Sequence, residues 1–263
     1  RLLREKPDQS HDQYAWTVYT TWQISFDQLS KPAARFLQLC SFLHYTGITE
    51  DIFSNASKYC APVELPPKED LQESLQFLSH FQESTGEWSS LSFLDVTNEI
   101  KSYSLISFNA TTKVFSIHPL VHAWSRSTPV DVDEESSHLC VNSILGMCIS
   151  IIPNHDMVIA FPRLLPHLGA LSPFKADRGP DFRAAFWYIY LAGSKLQEAH
   201  DLLVQVVENY KLMFGEQHLA TLEVMHRLGV TYHMLGEYKK ARELEIVVLE
   251  KRTTLQARII QTL

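Results

Sequence analysis

Two histidines four residues apart are the first residues in this chain whose types and spacing could do chemistry. His118 and His122 stand in the stretch FSIHPLVHAWSR. On a helix this spacing would place both imidazoles on one face, an arrangement that zinc enzymes use. Pro119 follows His118 directly and disfavours helical geometry at His118. The stretch offers neither a third ligand nor a carboxylate base, so we predict no metal site here.

Other signatures of catalysis are missing from the sequence. It contains neither the GxxxxGK(S/T) phosphate-binding motif nor a GxSxG nucleophile turn. The acidic residues between positions 131 and 135 belong to a short, proline-containing stretch, STPVDVDEESS, which is interpreted as a solvated linker. We therefore predict no catalytic residue, no enzyme activity and no cofactor within this chain.

Composition sets the broad class of protein. The chain has 263 residues, of which 45% are hydrophobic, enough for one large or two ordinary domains. The net charge is −7, which does not indicate a polyanion-binding surface. The four cysteines form no CxxC pair and predict buried or free thiols in a reducing compartment. Because no run of about 18 apolar residues occurs, we predict a cytoplasmic protein without a membrane span.

Helical patterns fill most of the first hundred residues. The stretch KPAARFLQLCSFL carries Pro32 near its start, where a missing N–H does no harm. Its apolar residues recur at helical spacing: Phe36, Leu39, Cys40 and Leu43. Thr49 is predicted to cap a second helix, and the stretches PPKEDLQESLQFLSHF and SLSFLDVTNEIKSYSLI predict a third and a fourth.

Two short strand-like runs follow these helices. Leu105 to Phe108 and Val114 to Ile117 flank an Asn-led turn, which predicts a β-hairpin. Helices followed by a small hairpin are typical of a winged helix-turn-helix domain, which we place at residues 20–128 after a linker at 1–19. Residues 20 to 126 carry seven basic and eleven acidic residues, a net charge of −4. This balance argues against binding of nucleic acid.

The second half of the chain is also predicted to be helical. Residues 129–178 are interpreted as a helical bridge, in which helices are broken by prolines at positions 153, 162, 166 and 173. Residues 179–263 contain an internal repeat, since five pairs of identical residues stand 42 positions apart. The pairs are Tyr190 with Tyr232, Ala199 with Ala241, Leu202 with Leu244, Val206 with Val248 and Glu208 with Glu250. Each unit is predicted to be a helix pair that stacks on its neighbour.

The second repeat, LEVMHRLGVTYHMLGEYKKARELEIVVLEKR, resembles a tetratricopeptide repeat. The signature positions are Leu228, Gly229, Tyr232, Gly236, Tyr238 and Ala241, with Tyr190 and Ala199 in the first repeat. The long period and the linker FGEQHLATL are similar to the kinesin-light-chain subtype, although Leu219 replaces the usual proline. The resemblance implies about two units, the last one truncated. It also implies a protein or peptide ligand on the face of the first helices, where we place Tyr188, His226 and His233.

The wider order of segments resembles the C-terminal part of fungal NB-ARC–TPR proteins, which are NLR-like signalling ATPases of the STAND class. TWQISFDQLSKPAARFLQLCSFL, FSIHPLVHAWSR and LLPHL precede the repeats here as in that family. The resemblance implies an all-α chain with a small β-hairpin wing, an upstream nucleotide-binding domain that holds ADP or ATP, and an oligomer when activated.

The same resemblance assigns a role to His118. In the family, a Met-His-Asp motif after the hairpin approaches the β-phosphate of bound ADP. Ile117-His118-Pro119 takes its place here, with Pro119 instead of the acidic residue. His118 is therefore the predicted nucleotide-sensing residue, provided that the upstream domain is present. The alternative is a structural histidine that caps the end of the wing.

Three classes of function remain open on the sequence. The first is the regulatory and ligand-sensing half of a signalling ATPase. The second is a free-standing tetratricopeptide adaptor, in which the winged helix serves only as an N-terminal cap. The third is a winged-helix DNA-binding regulator, which the acidic charge balance disfavours.

Overall fold

The computed structural model describes residues 10–59, 69–127, 133–151, 157–171 and 183–262. The chain divides into two compact units. The first unit combines residues 1–151 with 166–180, and the second combines residues 152–165 with 181–263. The described part of the chain is mostly helical and contains a single two-stranded sheet.

The secondary-structure elements follow the order of the sequence patterns. The elements up to residue 151 are α1 (Ser10–Asp27), α2 (Lys31–Cys40), α3 (Glu50–Ala56), α4 (Glu69–Ser79), α5 (Ser90–Ser102), β1 (Ser107–Asn109), β2 (Val114–Ser116), α6 (Pro119–Ser127) and α7 (Glu134–Ile151). They are followed by α8 (Met157–Leu171), α9 (Arg183–Ala192), α10 (Leu196–Phe214), α11 (Leu219–Met234) and α12 (Tyr238–Thr262).

Helix α2 shows why the first predicted helix forms. Ser30 is its N-cap, and the Ser30 hydroxyl accepts a hydrogen bond from the amide of Ala33, which satisfies one of the unpaired donors of the first turn. Pro32 lies in that first turn, as predicted. The apolar face that includes Phe36 and Leu39 is buried. The predicted helix is confirmed.

Helix α7 is the central element of the first unit. Every residue from Leu139 to Ile149 is buried, as expected for a helix that is apolar on all sides. It packs against α2, α3 and α4. Arg35 on α2 forms an ion pair with Glu73 on α4 and donates a hydrogen bond to the Ser137 hydroxyl on α7. This part of the predicted helical bridge thus belongs to the first compact unit.

An aromatic cluster fills the space between α2, α3, α5 and the hairpin. Phe93 on α5 is 1% exposed, and its ring lies within 6 Å of five others. The five neighbours are Phe36, Phe53, Phe81, Trp88 and Phe115. Because Phe115 belongs to β2, this cluster fixes the hairpin to the helices.

The hairpin is confirmed and is shorter than predicted. Strands β1 and β2 are antiparallel, with Phe108 opposite Phe115. The side-chain oxygen of Asn109 accepts hydrogen bonds from the amides of Thr111 and Thr112, which closes the Asn-led turn that the sequence indicates.

The structure corrects three details of the sequence-based prediction. Helix α1 begins at Ser10, so residues 10–19 are helical and not a linker; residues 1–9 lie outside the described residues. Helix α8 runs through Pro162 and Pro166, two prolines that were predicted to break helices, while Leu164 and Leu168 on the same helix are buried. Thr49 takes the N-cap position of α3, but its side chain makes no capping hydrogen bond.

The repeat predicted from the 42-residue offset is also a repeat in structure. Helices α9 and α10 form one antiparallel pair and α11 and α12 another, with α11 packed on α10. The two alanines, Ala199 and Ala241, are 0% and 2% exposed, and Val206 and Val248 are 0% and 4% exposed. Both glutamates of the repeat are exposed and both tyrosines are half-buried. All these pairs therefore occupy equivalent environments.

The turns inside the two helix pairs are equivalent as well. The amide of Lys195 donates to the Tyr190 carbonyl at 2.8 Å, and the amide of Glu237 donates to the Tyr232 carbonyl at 2.9 Å. The residue before each donor has a left-handed backbone. It is Gly236 in the second pair, with φ of 79°, and Ser194 in the first, with φ of 56°. A side chain at such a position costs conformational energy that glycine avoids.

We therefore expect Ser194→Gly to stabilise the second unit by about 0.5–1 kcal/mol, because relief of the left-handed strain outweighs the added freedom of the unfolded chain. The reciprocal change, Gly236→Ser, is expected to destabilise it by about 1 kcal/mol. Urea denaturation followed by circular dichroism measures both changes. A Ser194→Gly protein less stable than wild type would contradict the equivalence of the two turns.

Candidate functional site

His118 lies at the junction between β2 and α6. It is exposed, and its Nδ1 accepts a hydrogen bond from the amide of Leu120 at 3.3 Å, while its carbonyl accepts one from the amide of His122 at 2.9 Å. His218 does the same before α11, where its Nδ1 accepts from Ala220 at 3.2 Å. Both histidines thus cap a helix N-terminus, whereas the structural alternative predicted for His118 was a cap of the wing.

The structure separates His118 from its sequence partner. His122 is half-buried on α6, and its Nε2 donates a hydrogen bond to the Leu43 carbonyl at 2.8 Å. Burial lowers the pKa of His122 below its ordinary value. Within the described ranges, no group of three or more His, Cys, Asp or Glu side chains is placed to hold a metal ion. The two imidazoles serve different backbone groups and do not form a joint site.

The strand end that carries His118 is bound to the loop after α2. The amide of Ile117 donates to the Tyr45 carbonyl at 2.8 Å, and the amide of Phe115 donates to the Ile48 carbonyl at 2.7 Å. Tyr45 itself is 39% exposed and its ring stacks on His44. His118 is therefore exposed, while the backbone of the strand that precedes it is held by hydrogen bonds to the loop after α2.

The second candidate site is the face formed by α9 and α11, the first helices of the two pairs. Trp187 donates a hydrogen bond from its indole nitrogen to the Thr231 hydroxyl at 2.9 Å. Arg227 donates to the Ala184 carbonyl at 2.8 Å, and its guanidinium lies 5.0 Å from the centre of the Tyr188 ring. These contacts hold α9 and α11 at a fixed distance.

The three residues predicted for the ligand face take different positions. Tyr188 is half-buried beneath Arg227. His226 is exposed on α11 beside Arg227. His233 is exposed near the end of α11, with its ring 5.1 Å from that of Tyr238, the first residue of α12.

Sequence reasoning missed Arg227, whose guanidinium is central to this face. Its Nε lies 3.4 Å from the carboxylate of Glu223, which also accepts a hydrogen bond from Arg252 on α12 at 3.0 Å. The signal available in the sequence was the spacing of four residues between Glu223 and Arg227, which allows an ion pair along one helix. One carboxylate thus lies between two arginines.

The tetratricopeptide signature residues have packing roles. Leu228, Ala199 and Ala241 are buried. A Cβ at Gly229 would lie 3.3 Å from Cγ of Glu245, so the small residue permits close approach of α11 and α12. Tyr238 is 62% exposed and contributes least to the core.

Comparison with known protein families finds two matches. The model of the Tetratricopeptide repeat family matches residues 188–252. The model described as Domain of unknown function (DUF7779) matches residues 24–129. No curated protein and no solved structure matches the chain. The tetratricopeptide assignment is thereby confirmed for residues 188–252. Among the helices described, none is long and apolar enough to cross a membrane.

The cap at His118 can be tested separately from any other role of this residue. We expect His118→Ala to destabilise the first unit by about 0.5–1 kcal/mol, because the Leu120 amide loses its acceptor. His118→Asn should retain wild-type stability, since asparagine is among the best N-cap residues. Urea denaturation and amide exchange in the first turn of α6 measure both effects. Equal destabilisation by alanine and asparagine would contradict the capping role.

Proposed function

We propose that this chain is the non-catalytic regulatory and ligand-sensing portion of an NLR-like signalling ATPase. In this proposal the tetratricopeptide unit binds a protein ligand, and binding is coupled through the winged helix to the nucleotide held by an upstream domain. The observation that supports the protein-binding part of this proposal is the match of the tetratricopeptide family to residues 188–252, because such repeats generally act in protein–protein interaction.

The chemistry of the α9/α11 face supports a protein or peptide as the ligand. Tyr188 and Arg227 are residue types that often dominate protein interfaces. Their mutual stacking fixes both side chains before a ligand arrives, which lowers the entropy cost of binding. His226 adds an exposed polar group on the same helix.

His118 supports the coupling to nucleotide. Its capping bond uses Nδ1, so Nε2 remains on the exposed side of the ring, where a phosphate held by another domain could accept a hydrogen bond. In the mechanism that we propose, ligand binding at the repeats strains residues 129–178 and displaces the strand end at Ile117. The ligand must bind the open state more tightly than the closed state for such a switch to operate.

A free-standing tetratricopeptide adaptor is the alternative. The tetratricopeptide match supports it equally, because the match bears on protein binding and not on nucleotide. The gene sequence upstream of Arg1 separates the two proposals, since a Walker A motif supports the signalling ATPase and a nearby start codon supports the adaptor.

DNA binding is the weakest of the three functions. Leu91 and Leu94 are 74% and 46% exposed on α5, the helix before the hairpin. Asp95 is exposed beside them. A helix that enters a DNA groove requires basic and polar side chains on this face, so we expect no salt-sensitive duplex binding in a mobility-shift assay.

Site-specific photocrosslinking tests protein binding at the α9/α11 face. A benzophenone amino acid at position 226 should crosslink a specific protein from extracts of the source cells, because His226 is exposed on α11 next to Arg227. The matched control places it at Leu212, which is 85% exposed on α10. Equal labelling at both positions, or labelling at Leu212 alone, would show that the ligand does not use this face.

A further inference from the structure

Histidines from two different helices hold the loop between α2 and α3. His122 on α6 donates to the carbonyl of Leu43 at 2.8 Å. His167 on α8 contacts the same loop twice, through the His44 amide at 3.2 Å and the Gly47 carbonyl at 3.0 Å. The loop is also the segment that binds the end of β2 through Tyr45 and Ile48.

Its two hydrogen bonds fix the protonation state of His167. The His44 amide is a donor, so Nδ1 of His167 must be the unprotonated nitrogen that accepts this bond. The Gly47 carbonyl is an acceptor, so Nε2 must carry the proton. His167 is therefore neutral. A second proton on Nδ1 would point at the N–H of His44 and break that bond.

The surroundings of His167 oppose a positive charge. The side chain is 0% exposed, and Gly47, with φ of 82°, brings the loop so close that a Cβ there would lie 3.4 Å from Nε2 of His167. The charged and titratable groups that act on the two clamping imidazoles, among the described residues, are His44 from the loop and Arg126 from α6. Neither of these groups would stabilise an imidazolium ion.

We propose that His167 is a proton-sensitive latch: protonation of its Nδ1 releases the loop at residues 43–47 and thereby loosens the strand end at Ile117 and His118. The neutral ring holds the loop because both of its nitrogens are satisfied. In the charged ring the second proton, on Nδ1, faces the His44 N–H, so the charged form is favoured only when the ring leaves this position. This regulation depends only on contacts in the first unit and is independent of what the repeats bind.

The pH range follows from the free energy of protonation. Burial lowers the pKa of His167 from 6.5 to about 4. Between these two pKa values, His167 binds fewer protons in the closed loop than in the open loop. The hydrogen bonds of His167 therefore stabilise the closed loop fully above pH 6.5, and this stabilisation weakens as the pH falls towards 4. Lowering the pH from 7.5 to 5.0 should raise the equilibrium constant for local opening about 25-fold.

Amide hydrogen exchange of the whole chain tests this latch. Exchange rates are measured at pH 7.5 and 5.0 and corrected for the intrinsic effect of pH. The corrected rates at residues 44–48 and 115–117 should be higher at pH 5.0, while α7 remains protected. His167→Gln should abolish the increase, because glutamine retains a donor for Gly47 but does not titrate. His138→Gln is the matched control, since the half-buried His138 likewise bonds a backbone carbonyl, that of Leu171; the increase should persist in this variant.

Three results would overturn the proposal. They are unchanged protection of the loop at pH 5.0, the same increase in His167→Gln as in wild type, and an equal increase throughout α7, which would mean global unfolding. If His167→Gln does not fold, ring-nitrogen NMR of the wild-type protein gives the answer. An unprotonated Nδ1 at pH 7.5 and a ring that titrates well below pH 6.5 support the latch, and a protonated Nδ1 at pH 7.5 or a ring with an ordinary histidine pKa contradicts it.

Discussion

The burial of α7 on every side is the constraint on which the first unit depends. A helix with buried residues from Leu139 to Ile149 must be covered by several elements at once, and α2, α3 and α4 provide that cover. Arg35 on α2, 13% exposed at its side chain, joins these layers through Glu73 and Ser137. Loss of one partner from such a pair leaves a poorly solvated charge. The end of α2, and with it the loop at residues 43–47, is thus positioned by the core.

The hairpin is attached to this core by a side chain and by backbone hydrogen bonds. Phe115 inserts into the aromatic cluster around Phe93, and the backbone of Ile117 bonds the loop. His118 follows directly, exposed and already used as a helix cap. The capping bond uses only Nδ1 of this exposed ring, so it does not conflict with the proposed contact to nucleotide. The two interpretations of His118 are therefore compatible.

The repeats were the part most predictable from sequence. Ala199 and Ala241 stand 42 residues apart and occupy equivalent buried positions. Each helix pair requires a small side chain at this position, because its two helices approach closely there. Local patterns also predicted α2 and the hairpin. By contrast, the continuation of α8 through Pro162 and Pro166 contradicts local propensity. The burial of neighbouring side chains on that helix, such as Leu168, is a tertiary effect that local patterns do not contain.

The contacts of the candidate sites were less predictable, because they join residues that are distant in sequence. His167 stands 123 positions from His44, and no spacing rule connects them. Arg227 contacts Ala184, 43 positions away, and the sequence reveals only its local pairing with Glu223. The sequence identified His118 correctly as a residue at the hairpin end, but its capping bond depends on the geometry of the first turn of α6.

The proposed function requires a nucleotide-binding domain upstream of this chain, and the ADP content of a polypeptide that includes that domain is the most direct measurement of the proposal. His118→Asn is the variant to use, since asparagine retains the N-cap of α6 and removes the imidazole. If His118 senses nucleotide, the purified variant should contain less bound ADP than wild type and release it faster, with unchanged stability. Unchanged ADP occupancy and release in this variant would contradict the sensing role.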